Sequence, residues 1–341
     1  MQNRDRPPRT EDVAGRECPA CGGRLEFWRS VPGSEPAPAS MRFSLMRCSE
    51  CGTAVTAADA TPDAHESGAY GTGAPRLSRL ASPVLRAFDS RRLALLAELV
   101  PPPARLLDAG AGRGRFVRGA RAAGYDAFGI EPSLRGARAA VLLGAPVEQV
   151  AIEDASVAAG SLDAVTLWHV LEHLDDPGAA LRRIATWLAP GGALLVGVPN
   201  LSSWQARIGG ARWYHLDVPR HRVHFSADGL SALLRASGFS VLSTHHVLLE
   251  HNPFGMWQSL VNRLTRNPSY LYNLLKRNAP TRSRDLPVTV VALALAPFAA
   301  AFELAAGLFG RGGTIAVVAR RPSDMGAPPS TRASDPPLRP E

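Results

Sequence analysis

Lysine is almost missing from this 341-residue chain: Lys276 is the one example, and arginine makes up the rest of the 38 basic residues. The formal net charge of +8 ordinarily raises nucleic acid or an anionic membrane as partners. Here it is carried by arginine in a chain heavy in alanine, proline and glycine, so it reads as compositional bias and nucleic acid is not expected. Cysteine is scarce as well. The four cysteines sit in two close pairs, Cys18/Cys21 and Cys48/Cys51, which excludes the scattered framework of a secreted disulfide protein and favours a reducing, cytoplasmic setting. Met1 to Thr10 is polar and lacks an apolar core, so no secretory signal is expected. Long apolar runs are limited to Leu286–Phe309, which is long enough to raise a membrane question. With 45% hydrophobic and 20% charged residues, the chain has material for a substantial core.

Residues 1–13 and 322–341 are aperiodic and rich in Pro, Ser, Arg and Asp, and are expected as disordered tails. Between them the expected order is a cysteine module over 14–58, a linker over 59–75 punctuated by Pro and Gly, and a main domain over 76–321. That domain alternates strand-like runs (105–109, 127–130, 164–168, 193–198) with helical ones (114–123, 134–143, 177–188). Further strands are expected at 239–247 and 314–319. Such alternation predicts an α/β fold whose mostly parallel sheet is covered on both faces. Its ligands should lie at the carboxyl ends of the strands.

The first strand runs from Asp108 into Gly110-Ala-Gly112-Arg-Gly114 and then a helix. Glycines there let backbone approach a ligand, and a helix start favours negative charge. The dinucleotide fingerprint would place its third glycine at position 115, which is Arg115. Glu131 closes the second strand, where a carboxylate can accept from two ribose hydroxyls. Asp154 follows the third strand position. Leu171-Glu172-His173 follows the fourth, and Leu188-Ala-Pro-Gly-Gly192 announces the fifth.

In this order and spacing the motifs over 76–250 resemble the Rossmann-like class I S-adenosylmethionine-dependent methyltransferases, especially small-molecule enzymes with a Leu-Glu-His element. The resemblance implies S-adenosylmethionine as cofactor, held by Asp108, Gly110, Gly112, Gly114, Glu131, Asp154 and His169. It also implies an antiparallel last strand. The Asn/Asp-Pro-Pro-aromatic element of amine methylases is absent, which implies an oxygen or carbon acceptor; the leading reading is a small-molecule, lipid- or glycan-linked one. An RNA methylase and a non-catalytic cofactor-binding scaffold are the alternatives.

Methyl transfer needs in-line positioning, and a base when the acceptor is a hydroxyl. His169, ending the fourth strand, and His221, on the loop before the helix at 226–237, are the candidate catalytic residues; histidine moves protons near neutral pH. His215 and His224 on the same loop read instead as satisfying backbone groups. Glu172 and His173 read equally as capping or catalytic residues. Some quinone-type relatives hold a divalent cation at this element, but Trp168 and His169 stand where further glutamates would be, so no ion is expected.

Two Cys-x-x-Cys turns complete a tetrahedron of thiolates around one structural zinc, a zinc ribbon closed by Cys18, Cys21, Cys48 and Cys51. Residues 250–312 read as a helical, apolar insertion between the last two strands. Both of its ends lie on one side of any bilayer, and Pro297 with Glu303 favours a broken hairpin or two interfacial helices over a straight span. Trp257, Leu260, Val261 and Leu264 form an expected apolar face, with Arg263, Arg266, Lys276 and Arg277 for anionic headgroups. The protein is thus expected in the cytoplasm, peripheral on the inner face of the membrane through 252–309; packing as core or in a homodimer is the alternative.

Overall fold

The computed structural model describes residues 17–34, 41–57, 78–275 and 283–323. The expected tails and linker, apart from Pro322 and Ser323, and the cations Lys276 and Arg277 lie outside the described residues. In chain order the strands are β1 Leu25–Pro32, β2 Arg42–Cys48, β3 Ala54–Ala57, β4 Arg105–Ala109, β5 Asp126–Ile130, β6 Val147–Glu148, β7 Leu162–Trp168, β8 Leu188–Pro199, β9 Val223–His224, β10 Ser240–His245 and β11 Thr314–Arg320. The helices are α1 Ser78–Ala97, α2 Arg115–Ala122, α3 Leu134–Leu142, α4 Pro177–Trp187, α5 Trp204–Gly209, α6 Ala227–Ala236, α7 Asn252–Val261, α8 Tyr270–Leu275, α9 Asp285–Ala292 and α10 Ala296–Leu308.

The large sheet runs β10-β11-β8-β7-β4-β5-β6. β4 pairs in parallel with both β5 and β7, and β7 with β8, whereas β11 is antiparallel to β8 and β10. Strand order therefore reverses beside β4, and a cleft opens at the carboxyl ends of β4 and β7. The central β8 is buried from Gly192 to Pro199, as a strand covered on both faces must be. Helices start where the sequence offers a cap: Ser133, Asp176 and Ser226 accept from the backbone amides of Gly136, Ala179 and Gly229.

The cysteine module is not a separate body. Its strands form a second sheet, β1-β2-β3-β9, whose last strand comes from the main domain. Val31, Phe43, Leu45 and Ala54 share one apolar cluster with Trp213, Leu216 and Val218.

The insertion departs from its expected shape. α9 and α10 join through a single 3₁₀ turn, Leu293–Leu295, into a continuous apolar rod rather than a hairpin. Pro297 falls within the first turn of α10, where a missing N–H costs nothing. Trp257 and Val261 are buried against Ala292 and Ala299, and Trp257 Nε1 donates to the Ala292 carbonyl at 2.7 Å. Their expected outward apolar face is thus a core face, because the rod packs on it. Leu264 of that face stays outward at 63% exposure, and the other exposed apolar side chains of the insertion lie on the rod and its end: Val291 is 77% exposed, Phe298 74% and Leu308 74%.

Candidate active site

The turn after β4 is built by Gly110, Gly112 and Gly114, all in the left-handed region at φ 79°, 54° and 68°. Gly110 and Ala111 donate to the Ile130 carbonyl at 2.8 and 3.0 Å, and Gly112 N donates to Glu131 Oε2 at 2.8 Å. The other Glu131 oxygen accepts from Ser133 N at 3.0 Å. The glycine turn and the carboxylate ending β5 are therefore one unit. Below them Asp108 is buried and accepts from Thr166 Oγ1 at 2.6 Å. Burial raises its carboxyl to about 6, against the lowering effect of Thr166 and Arg92. Asp154 lies apart, exposed on the turn that follows β6 and outside the cavity lining.

A cavity of about 1240 Å³ opens beside this turn, larger than most single-ligand sites. Asp108 and Gly110 line one end, and His173, Tyr214, His215, Asp217, His221 and Tyr272 the other, with His169 between. One wall is charged: Arg92 donates to both Glu250 oxygens at 2.6 and 3.1 Å, stacks 4.0 Å from the Trp168 ring centre, and neighbours the Arg115–Asp89 pair at 2.8 Å.

His169 stands immediately beyond β7 with a left-handed φ of 56°. Its Nδ1 lies 2.9 Å from Glu172 Oε1, and its Nε2 has no protein partner. Burial, reinforced by His251, drives its basicity well below the usual histidine range. It is neutral at pH 7, with the Nδ1 proton directed at the carboxylate and the Nε2 lone pair available. Burial raises Glu172 to about 7. His251 meets His169 edge-on at 4.5 Å, and His215 stacks at 6.0 Å.

His221 is buried against His173, with ring centres 4.6 Å apart. Its Nδ1 lies 2.8 Å from the His215 carbonyl, so Nδ1 carries the proton and Nε2 the lone pair. Glu172, His173 and His221 place one ligand atom each within 4.8 Å of one another, a donor set suited to a divalent cation. The absence of glutamates had argued against an ion there, but the loop supplies His221 as a third donor.

The structure thus brings Asp108, Gly110, His169 and His221 to one cavity, sets Gly112, Gly114 and Glu131 beside it through the glycine turn, and leaves Asp154 exposed outside the lining. His224 lies on β9 and is satisfied by the Thr56 hydroxyl rather than by backbone. His215 departs from the expected role too: it lines the cavity, and its Nε2 is buried without a partner. Glu250, His251 and Arg92 were missed. The adjacent Glu250-His251 pair, opening the insertion, was the available signal.

In the cysteine module, Cys18 and Cys51 sulfurs lie 3.7 Å apart and Cys21 and Cys48 sulfurs 3.5 Å, and all four lie within 4.8 Å of one another. These are not disulfide distances. They match the edges of a tetrahedron with metal–sulfur bonds of about 2.3 Å.

A family model described as a methyltransferase domain matches residues 80–244. A ubiquinone biosynthesis O-methyltransferase of Xanthomonas axonopodis pv. citri (strain 306) is 31% identical over 180 residues, covering 49% of this chain and 75% of the relative. The protein of the same name from Bordetella avium (strain 197N) is 30% identical over 202 residues, covering 54% and 81%. Among solved structures, a putative sarcosine dimethylglycine methyltransferase from Galdieria sulphuraria is similar at 16% identity with a TM-score of 0.47, covering 72% of this chain and 88% of that one.

Proposed function

Given that the chain belongs to the class I S-adenosylmethionine-dependent methyltransferases, we propose that it methylates a hydroxyl oxygen on a small molecule carried by a lipid or glycan, with His169 as the base. The observation that carries this reading is the buried His169–Glu172 pair at the carboxyl end of β7, neutral on the imidazole and lining the cavity between its two halves. S-adenosylmethionine supplies an electrophilic methyl group on sulfur. The chain's own part is to align the acceptor oxygen and remove its proton to His169 Nε2, while Glu172 stabilises the resulting imidazolium. The relatives' name supports an oxygen acceptor, and Tyr214 and Tyr272, in edge contact at 5.7 Å, offer an aromatic wall for it.

His169→Ala should lower methyl transfer by about 10²- to 10⁴-fold with S-adenosylhomocysteine affinity intact. Methyl transfer from radiolabelled cofactor into lipid and glycan extracts is the measurement, and equal incorporation by the variant would remove His169 from the mechanism.

The four thiolates would hold one structural zinc, for which the closed tetrahedral donor set is the support. The exposed rod α9–α10 would rest on an anionic membrane surface, supported by its outward Val291, Phe298 and Leu308 between exposed Arg284 and Arg311. That placement would make the enzyme peripheral on the cytoplasmic face and bring the cavity to a lipid-borne acceptor.

A further inference from the structure

Among the described residues the cysteine module packs on the methyltransferase fold through shared apolar clusters, and its main-chain pairing with that fold is made to the acceptor loop. β3 pairs antiparallel with β9, Ala54 opposite His224 and Val55 opposite Val223. Thr56, 1% exposed, donates its hydroxyl proton to the His221 carbonyl at 2.7 Å and stands 2.9 Å from His224 Nε2. Its single proton is spent on the carbonyl, so the contact with His224 requires the Nε2–H tautomer. Thr56 N donates to the Arg222 carbonyl at 2.9 Å, and Ser34 N to that of Val218 at 2.7 Å.

The second cysteine knuckle is fastened just beyond. Ser226, the cap of α6, donates from Oγ to the Cys51 carbonyl at 2.5 Å. Approach here is so close that a Cβ on Gly229 would lie 2.0 Å from Thr53 Oγ1 and 3.2 Å from Cys51 Sγ. From the other side the loop is held by few main-chain bonds, among them Arg222 N to the Glu172 carbonyl at 2.7 Å and Leu201 N to that of Phe225 at 2.7 Å. By contrast, the glycine turn and Glu131 are tied to β5, to β6 through Glu131 N and the Glu148 carbonyl, and to the start of α3 through Ser133 N.

We propose that the cysteine module is a working part of the acceptor half of the site: Thr56 and the β3–β9 pairing hold residues 214–224, and His221 with them, against His173, so that metal occupancy of the module governs the acceptor half and not the cofactor half. Thr56 is a positioning residue acting through His221 and His224. This rests on the zinc reading for its metal arm only, since the Thr56 contacts stand without it.

The test is hydrogen exchange on the full chain, with metal release followed by a chromophoric chelator and S-adenosylhomocysteine binding followed by calorimetry. Stripping the metal under reducing conditions should speed exchange of 214–224 by roughly tenfold or more. β4, β5 and β7 should stay protected, and S-adenosylhomocysteine affinity should change less than about twofold. Thr56→Val should loosen 214–224 in the same way with metal content unchanged, and Thr56→Ser should restore wild-type protection.

A preparation with no metal would refute the zinc reading and leave the Thr56 comparison to decide this one. The proposal is overturned if 214–224 stays protected in Thr56→Val. It is equally overturned if stripping the metal leaves that segment protected, or releases the central sheet and cofactor binding together with it.

Discussion

At the level of single residues, the proposed chemistry hinges on two buried groups whose charges oppose each other's habits. Glu172 releases its proton only near pH 7, and His169 remains neutral well below that. The competent pair, carboxylate beside neutral imidazole, therefore forms as pH rises through about 7 and is lost below it. Methyl transfer should rise across that range in the wild type. Glu172→Gln should be slower and lack the rise; a variant that keeps the same pH profile would dissociate Glu172 from the base.

Glu303 makes a separate stability prediction. It accepts from Gly313 N and Gln205 Nε2 in a buried site, and burial raises its carboxyl to about 7. The folded state keeps a proton that the unfolded chain gives up near the ordinary value of 4.5. The associated stability is full below 4.5 and is lost as pH rises through 7. Melting curves of wild type and Glu303→Gln should diverge in the variant's favour between about pH 5 and pH 8, on the order of 5 °C.

Legibility differed from residue to residue for a physical reason. Asp108, the glycines, Glu131 and the four cysteines are set by local spacing, and spacing is visible in sequence. His251 reaches His169 only because the insertion folds back over β7, and His215 faces the cavity only because Gly255 leaves room for it: a Cβ there would stand 2.7 Å from His215 Nε2. Neither fact has a local signature.

Among the elements, the glycine turn separates conformational demand from steric demand. A Cβ on Gly110 would stand 2.3 Å from Val170 Cγ2, whereas one on Gly112 meets nothing within 4 Å. Both require left-handed backbone, costing about 1–2 kcal/mol for a non-glycine residue. Gly110→Ala must also displace Val170, the neighbour of His169. It should therefore lower Tm more than Gly112→Ala does and reduce methyl transfer beyond its loss of cofactor affinity. Equal effects from the two variants would mean that the turn yields without moving the base.

The strands of the central sheet other than the two-residue β6 were legible because alternation and capping residues agree with the fold. The rod was not. Its composition reads the same whether it packs or lies bare, and Pro297 reads as a break although it sits in a first turn. With vesicles of phosphatidylcholine and phosphatidylglycerol, the full chain should co-sediment at moderate salt, and Val291→Asp with Phe298→Ser should abolish this. Failure of the wild type to sediment would leave the rod to a protein partner or a second copy.

On the scale of the whole molecule, Ser34 of the N-terminal module and residues of the last insertion, far apart in sequence, line the same cavity. The insertion does more than line it. The rod that carries the bare apolar side chains packs on α7, and the chain entering α7 provides Glu250 and His251 to the cavity, as Ser269 and Tyr272 do after it. Whatever rests on the rod and whatever fills the cavity thus act on one mechanical element. Two ligands that bias one element obey reciprocity: the factor by which the first strengthens the second is the factor by which the second strengthens the first. A vesicle that tightens acceptor binding must be held more tightly by acceptor-loaded enzyme, and release of the methylated product would loosen the enzyme's grip on the surface. Residence on the membrane would then be timed by turnover itself, and vesicle affinity measured with and without a bound acceptor should differ by the same ratio as acceptor affinity measured with and without vesicles.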